Sequence, residues 1–185
     1  MCVIIVSPAG QRIPSKNELW MAYLRNHDGC GFASDTQHYK SMDFQDFYEK
    51  LQKVPKSENV IIHFRLATHG SVGLNNCHPF YDEKSQTWFA HNGILDILPM
   101  DDMTDSETAF RQFFAPVIRR SGLGSQALTN SVFKLIGWSK FAFLRKGRIR
   151  LFGRFIKLRG NYYSNLYHLP LTQQVYGVPR LQHSM

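Results

Sequence analysis

The sequence places side chains that could do chemistry beside four apolar segments. A thiolate is a strong nucleophile, an arginine can hold a carboxylate through two parallel hydrogen bonds, and an asparagine amide beside a glycine N–H can stabilise an oxyanion. The segments MCVII, HFRLATHG, FAHNGIL and TDSE supply such residues as Cys2, Arg65, Thr68, His69, Asn92, Gly93 and Asp105. This set suits the hydrolysis of an amide through a covalent intermediate.

Each of these residues also has a purely structural interpretation. Cysteine is among the most buried residue types, so Cys2 can simply begin a buried strand. Arg65 can pair with a structural acid, the pair Asn92-Gly93 is typical of a hairpin turn, and Asp105 is typical of a helix N-cap. Taken singly, the residues leave both interpretations open.

The elements that must position these residues follow from hydrophobic periodicity. Helices are predicted in SKNELWMAYLRN, where Ser15 and Glu18 match a capping box, in SMDFQDFYEKLQK, and from SETAF onward. Strands are predicted in MCVIIV, NVIIHF, TWFAHN, YYSNLYH and FAFLRKGRIRLFG, the last as a hairpin that turns at Lys146-Gly147. Because several strands are separated only by tight turns, this order favours an α+β fold with antiparallel sheets over a doubly wound parallel sheet.

Length and composition indicate a single folded domain over residues 1–185. The chain is 43% hydrophobic, and no apolar run approaches the roughly 20 residues of a transmembrane helix. Its start lacks the basic region and long apolar core of a secretory signal, and Cys2, Cys30 and Cys77 make no disulfide framework. We therefore expect a cytoplasmic protein, with no membrane partner, in which Cys2 is a free thiol.

The net charge of +8 comes largely from the stretch KLIGWSKFAFLRKGRIRLFGRFIKLRG, which contains no acidic residue. Alternating basic and apolar residues are more typical of solvated strand faces, and nucleic-acid binding through this basic C-terminal half is the alternative. The phosphate-binding motifs GxGxxG and GxxxxGK[ST] are absent, and no histidine pairs with cysteine at zinc-finger spacing. We therefore expect neither a cofactor nor a metal.

Five motifs occur in an order that resembles the class II glutamine amidotransferase domain: MCVII, RNHDGCGFA, HFRLATHG with CHPF, HNGI and TDSE. The likeness covers roughly residues 2–110, and the tail SKFAFLRKGRIRLFG…YYSN is similar to compact, stand-alone members of the family. The resemblance implies the N-terminal-nucleophile (Ntn) hydrolase fold. In this four-layer αββα sandwich, two antiparallel sheets lie between helical layers.

The resemblance also implies roles for individual residues. Cys2 would be the nucleophile once Met1 is removed, and Asn92 and Gly93 would form the oxyanion hole. A freed α-amine on Cys2 titrates near ~8, so one residue would supply both the nucleophile and the base.

The substrate-binding residues follow from the same resemblance. Arg65 would grip the α-carboxylate of glutamine and Asp105 its α-ammonium group. The other matches are three pocket-lining residues, Thr68, His69 and His78, and two residues on a supporting loop, Arg25 and Asp28. Leu66 follows Arg65 where many family members carry an aromatic residue.

The activity implied by the resemblance is a glutamine amidotransferase or glutaminase-type amidohydrolase, which releases ammonia from L-glutamine through a cysteinyl thioester. Because 185 residues leave no room for a synthase domain, we expect a separate ammonia-accepting synthase or modifying enzyme as the partner. The alternatives are an amidase that acts on another γ-glutamyl-type amide and a catalytically retired binding or regulatory module of the same fold. Retention of both Arg65 and Asp105 favours a free amino acid as the substrate.

Overall fold

The computed structural model describes residues 2–67, 72–101 and 103–170. Its strands, in chain order, are β1 (Val3–Ser7), β2 (Cys30–Ser34), β3 (His38–Ser41), β4 (Val60–Phe64), β5 (Phe80–Asp82), β6 (Thr87–Asn92), β7 (Lys140–Arg145), β8 (Arg148–Phe152), β9 (Ile156–Leu158) and β10 (Asn161–Tyr163). They form a six-stranded sheet in the order β3-β2-β4-β1-β10-β9 and a four-stranded sheet in the order β5-β6-β7-β8. Neighbouring strands pair antiparallel throughout both sheets.

The helices lie outside the sheets. They are α1 (Lys16–Arg25), α2 (Phe44–Leu51), α3 (Asp105–Ala109), α4 (Ala115–Ser121) and α5 (Gln126–Phe133), with a π-helical turn at Phe110–Phe114 joining α3 to α4 and a 3₁₀ turn at Leu74–Asn76. Within the described ranges, no helix combines the length and the apolar character that crossing a bilayer requires.

Alternation along β1 shows how the layers stack. Val3 and Ile5 pack in one core with the apolar faces of α1 and α2. Ile4 and Val6 face the opposite way, into a second core between the two sheets that includes Ala142 of β7. Because successive strand residues point to opposite faces, a strand that is apolar throughout must be covered on both sides.

A third core lies on the outer face of the four-stranded sheet. Phe89 of β6 and Phe143 of β7 pack there against Phe110 and Phe114 of the helical segment. The order of layers is therefore helices, sheet, sheet, helices. This confirms the α+β class and the four-layer αββα sandwich of antiparallel sheets.

Several predicted elements are confirmed in detail. The β7–β8 hairpin turns at Lys146 and Gly147, both at positive φ (48° and 72°), as a two-residue turn requires. Ser15 caps α1 by accepting a hydrogen bond from the Glu18 N–H (3.3 Å). The other half of the capping box is wrong, because the Glu18 carboxylate instead accepts a hydrogen bond from the Tyr163 hydroxyl (2.6 Å).

Two local interpretations are also wrong. Asn92-Gly93 is not a hairpin turn, because β6 pairs with β7, which begins only at Lys140. The N-cap of α3 is Thr104, whose side chain accepts from the Glu107 N–H, and Asp105 is the first helical residue. The structural interpretations of Asn92-Gly93 as a hairpin turn and of Asp105 as a helix N-cap therefore do not apply.

Part of the basic stretch has an internal role. Arg145 donates to the carbonyl of Ser85 (2.8 Å), and Arg150 donates to the carbonyl of Ser125 (3.0 Å) and to the hydroxyl of Thr129. These two guanidinium groups join the second sheet to neighbouring segments of the fold.

Candidate active site

Leu66 and Asn165 hold Cys2 at the end of the first sheet. Its Sγ accepts a hydrogen bond from the Leu66 N–H (3.3 Å) and lies 3.4 Å from the Leu66 carbonyl oxygen. Its own carbonyl accepts from the Asn165 side-chain amide (2.8 Å). In the β1–β4 register Val3 faces Phe64, so one step further Cys2 faces Arg65.

The environment of the Cys2 thiol favours its neutral form. Burial raises the pKa of Cys2, and the hydrogen bond from Leu66 and the positive charge of Arg65 offset this only in part. Since the side chain is half-buried rather than enclosed, a reagent can still reach it. A thiol of this kind needs a base beside it to react at neutral pH.

Asp28 supports the segment that carries Arg65. The Asp28 N–H donates to the Arg65 carbonyl (3.0 Å), the Arg65 N–H donates to the Gly29 carbonyl (2.8 Å), and the Asp28 carboxylate accepts from the Ala67 N–H (2.7 Å). These bonds continue the β2–β4 pairing past the end of β4, so the buried Arg65 is held by its backbone.

Arg25 lies apart from these contacts. It is exposed at the end of α1, where its charge, added to burial, lowers the pKa of His168 to about 4. Of the two predicted supporting residues, Asp28 contacts the Arg65 segment directly, whereas the charge of Arg25 acts on His168.

Asn92 is tied to the Cys2 strand through Ser164. The Asn92 side-chain amide donates to Ser164 Oγ (2.8 Å), and the same oxygen accepts from the N–H of Ile4 (2.8 Å). Asn92 is 1% exposed and ends β6, so this contact joins the end of the second sheet to the start of β1. One hydrogen of the Asn92 amide nitrogen is left for another acceptor.

Gly93 lies where no other residue fits. Its φ is +151°, and a Cβ built on it would lie 2.9 Å from Cα and 2.8 Å from Cβ of Ser139. The main chain can therefore pass Ser139 closely only because residue 93 has no side chain.

Asp105 anchors the turn that follows Gly93. One carboxylate oxygen accepts from the Leu95 N–H (2.9 Å), and the other accepts from the N–H (2.7 Å) and the hydroxyl (3.1 Å) of Ser106. The side chain is half-buried at the first turn of α3. Asp105 and the Asn92–Gly93 pair are thus parts of one arrangement.

His91 lies behind this turn and is 2% exposed. Its Nδ1 is 2.7 Å from Ser106 Oγ and its Nε2 is 3.0 Å from Ser139 Oγ. Burial lowers the pKa of His91 to about 4 although Asp105 opposes the shift, so the imidazole is neutral at pH 7.

His78 is buried beside His63 of β4 and is almost entirely shielded from solvent. It is 6% exposed, and its ring centroid is 4.3 Å from that of His63, whose Nε2 is 3.2 Å from the His91 carbonyl. Burial lowers the pKa of His63 to about 3 and that of His78 well below its ordinary value. The remaining predicted pocket residues, Thr68 and His69, and the predicted processing site at Met1 lie outside the described residues.

A cavity of about 460 Å³ adjoins this arrangement, and its walls include Ser139, Ser164 and Asn165. Two exposed aromatic residues, Trp138 and Tyr167, also line it. The three polar wall residues contact Gly93, Asn92 and Cys2 in turn, so the cavity lies immediately beside the candidate site.

Ser164 and Asn165 were not singled out from the sequence as site residues. The motif YYSN did mark the segment, but a serine and an asparagine after a short strand look like ordinary turn residues. Only the pairing of β10 with β1 brings them beside Cys2. In the described part of the chain, no cluster of three or more His, Cys, Asp or Glu residues could hold a metal ion.

Comparison with known proteins bears on the arrangement as a whole. A family model for class II glutamine amidotransferases matches residues 45–141, more than half of the sequence. The chain belongs to the class II glutamine amidotransferases. The matched range contains Arg65, Asn92, Gly93 and Asp105.

Individual relatives agree with this assignment. A Haemophilus influenzae protein named as a candidate glutamine amidotransferase is 58% identical over 52 residues, which is 27% of this chain and 17% of that protein. The glutamine–fructose-6-phosphate aminotransferase of Methanococcus maripaludis is 38% identical over 81 residues, which is 38% of this chain and 13% of that protein.

A solved structure shows the same fold. The glutamine phosphoribosylpyrophosphate amidotransferase of B. subtilis matches with a TM-score of 0.57 at 19% identity, over 88% of this chain and 41% of that one. The present chain thus covers less than half the length of each of these three proteins. None of their names mentions a nucleic acid.

Proposed function

We propose that this class II glutamine amidotransferase hydrolyses the side-chain amide of L-glutamine with Cys2 as an N-terminal nucleophile. The observation that carries the proposal is the convergence at one end of both sheets. A half-buried thiol contacts the main chain of Leu66, the residue after Arg65, and Ser164 joins the Cys2 strand to Asn92. Family membership supplies the expected substrate class.

The proposed reaction begins with removal of Met1, which frees the α-amine of Cys2. This amine takes the thiol proton, and Sγ attacks the side-chain carbonyl carbon of glutamine. The N–H of Gly93 and the remaining amide hydrogen of Asn92 stabilise the oxyanion. Collapse of the tetrahedral intermediate breaks the C–N bond, and the amine returns its proton to the leaving ammonia. Water then hydrolyses the thioester to glutamate and restores the thiol.

Two charges of the substrate have proposed partners of opposite sign. Arg65 would bind the α-carboxylate in the bidentate manner that its planar group allows. Asp105 would bind the α-ammonium group with a carboxylate that the Leu95 and Ser106 N–H groups already orient. Thr68, His69 and His78 are proposed to line or shape the pocket, with Arg25 and Asp28 in supporting roles.

We further propose that the ammonia serves an acceptor site on a separate synthase or modifying enzyme. The named relatives support transfer to an acceptor, since one is an aminotransferase for fructose 6-phosphate and the other is an amidotransferase for phosphoribosylpyrophosphate. That the acceptor belongs to a separate protein is part of the proposal. We also propose a cytoplasmic location, which the free thiols of Cys2, Cys30 and Cys77 support.

The test incubates purified protein with L-glutamine and measures glutamate and ammonia, with the intact mass of the same sample. We expect loss of the Met1 mass, turnover in the wild type, and a loss of ~10³-fold or more in Cys2→Ala. The matched control is Cys30→Ala, which removes a buried thiol from the helix-facing side of β2.

Three outcomes would count against the proposal. A retained Met1 with full turnover would reject the α-amine as the base. Turnover of γ-glutamyl anilides but not of glutamine would identify an amidase of different specificity. No turnover, together with no labelling of Cys2 by a glutamine-analogue electrophile, would indicate a retired binding module.

A further inference from the structure

A buried chain of polar side chains joins Asp105 to the turn after Gly93. The links are Asp105 Oδ1 to Ser106 Oγ (3.1 Å), Ser106 Oγ to His91 Nδ1 (2.7 Å), His91 Nε2 to Ser139 Oγ (3.0 Å) and Ser139 Oγ to the Ile94 carbonyl oxygen (3.3 Å). Ser106, His91 and Ser139 are each at most 5% exposed. Solvent therefore cannot readily replace a link that is lost.

The two ends of this chain hold the same short turn. Ser139 contacts the carbonyl of Ile94 and leaves no room for a side chain on Gly93. Asp105 accepts from the N–H of Leu95. His91 spans the gap between these two anchors, so its ring fixes the distance from the first turn of α3 to the residue before β7.

A count of the protons available for these four links shows that His91 decides which link lacks one. Asp105 and the Ile94 carbonyl can only accept, so four links require four protons. The two serine hydroxyls supply two, and a neutral imidazole supplies one. One link therefore lacks a proton, and the tautomer of His91 determines at which end of the chain this occurs.

We propose that His91 is a positioning residue, which orients the Gly93 N–H and the Asp105 carboxylate as one unit through Ser139 and Ser106. The proposal rests on the function proposed above, in which Gly93 stabilises the oxyanion and Asp105 binds the α-ammonium group. In this proposal His91 itself contacts neither the oxyanion nor the α-ammonium group of the substrate. Its two nitrogens act on two different steps, namely bond breaking through Ser139 and substrate binding through Ser106.

Removing the two serines separately tests this division. Ser139→Ala releases the Gly93–Ile94 end, and since a misplacement of about 1 Å can cost ~10²-fold, we expect kcat to fall by at least about tenfold with little change in KM. Ser106→Ala releases the Asp105 end, where the loss of about one hydrogen bond predicts a KM raised by roughly tenfold with a smaller change in kcat. The matched control is Ser57→Ala, an exposed serine in the turn before β4.

Conservative variants of His91 sharpen the test. The side-chain nitrogen of asparagine can occupy the place of Nδ1, and that of glutamine the place of Nε2. We expect His91→Asn to retain the low KM and His91→Gln to retain more of kcat, whereas His91→Ala loses both. A merely structural role would instead lower kcat in proportion to the folded fraction in all three variants, and that pattern would overturn the proposal.

Hydrogen exchange separates failure of this inference from failure of the proposed function. His91→Ala should accelerate exchange of the buried Leu95 amide, whose N–H donates to Asp105, relative to Ser57→Ala, while the central β7 amides change little. If the wild type hydrolyses glutamine but neither serine variant splits kcat from KM, His91 is not a positioning residue. If the wild type does not hydrolyse glutamine, the proposed function fails, and unchanged exchange of the Leu95 amide would then overturn the inference as well.

Discussion

The two sheets present their ends to the candidate site in different ways. At the end of the first sheet, Cys2 contacts the main chain of Leu66, and the Arg65 segment is held by main-chain bonds and by Asp28. At the end of the second sheet, the turn at Gly93 depends on the side chains of His91 and Ser139. The first half of the site is thus held largely by main-chain hydrogen bonds, with the side chains of Asp28 and Asn165, whereas the second depends on a row of buried side chains.

This difference has a consequence for tolerance to substitution. An N–H group is present whatever the residue, so Leu66 can hold the Cys2 thiol although many family members carry an aromatic residue there. The hydrogen-bonded side chains that link Asp105 to the Ile94 carbonyl tolerate substitution less well, because each buried polar group needs its own partner. Substitutions that remove a hydrogen-bonding side chain should therefore lower the stability more at the end of the second sheet than at the end of the first.

Apart from loss of the Cys2 thiol, the largest effect is expected for Gly93→Ala. The new Cβ would lie 2.9 Å from Cα of Ser139, so the turn must move, at a cost of about 1–3 kcal/mol in the free energy of unfolding. Displacing an oxyanion donor should lower kcat by roughly 10²–10³-fold. Urea titration and glutaminase kinetics measure the two effects, with Gly124→Ala as the control because nothing lies within 4 Å of its added Cβ. Equal behaviour of the two variants would contradict the comparison.

Asn92→Ala should damage the rate more than the fold. We expect kcat to fall by roughly 10²-fold, since an oxyanion donor is lost. The free energy of unfolding should fall by only about 1 kcal/mol, because one hydrogen bond to Ser164 is removed. Ser164→Ala removes the same bond from the other side. If it lowered kcat as much as Asn92→Ala, the role of Asn92 would be positional.

The free energy of unfolding should fall at acidic pH because of the buried histidines. The folded-state pKa values of His63 and His91, about 3 and about 4, lie below the ordinary value of 6.5, so the unfolded state binds more protons between these limits. Their contribution to stability is complete above pH 6.5. It is lost as the pH falls toward 4, by roughly 1 kcal/mol per pH unit for each histidine.

Thermal melts between pH 7 and pH 4 measure this loss. His91→Gln should flatten the curve by the share of one histidine. A wild-type Tm that stays constant across this window would show that the buried histidines are not neutral in the way their surroundings require.

The smallest effect is expected for Leu66→Phe. The side chain is half-buried and the hydrogen bonds with Cys2 are made by the backbone, so stability should change by no more than about 0.5 kcal/mol and turnover by about twofold. Alkylation of Cys2 by iodoacetamide provides a second readout. A large drop in alkylation would mean that the Leu66 side chain, and not its N–H, controls access to the thiol.

Much of the fold could be predicted from local patterns. Ser15 capping α1, the turn at Lys146-Gly147 and the apolar run of β4 each depend on residues close in sequence. The short strands β3, β5 and β9 were not predicted, because three or four residues carry too weak a periodic signal, and the helix α5 was missed as well. The fate of Glu18 was also unpredictable, since its partner Tyr163 lies 145 residues away.

For the candidate site, the sequence by itself determined the residue types and their order: a thiol at position 2, a guanidinium at 65, an amide and a glycine at 92–93 and a carboxylate at 105. Only the tertiary structure decided that Ser164 joins Asn92 to β1, that Asn165 holds the Cys2 carbonyl and that His91 links Ser106 to Ser139. The physical reason is distance along the chain. Side-chain type and local periodicity are properties of a few neighbouring residues, whereas these contacts depend on how two sheets pack face to face.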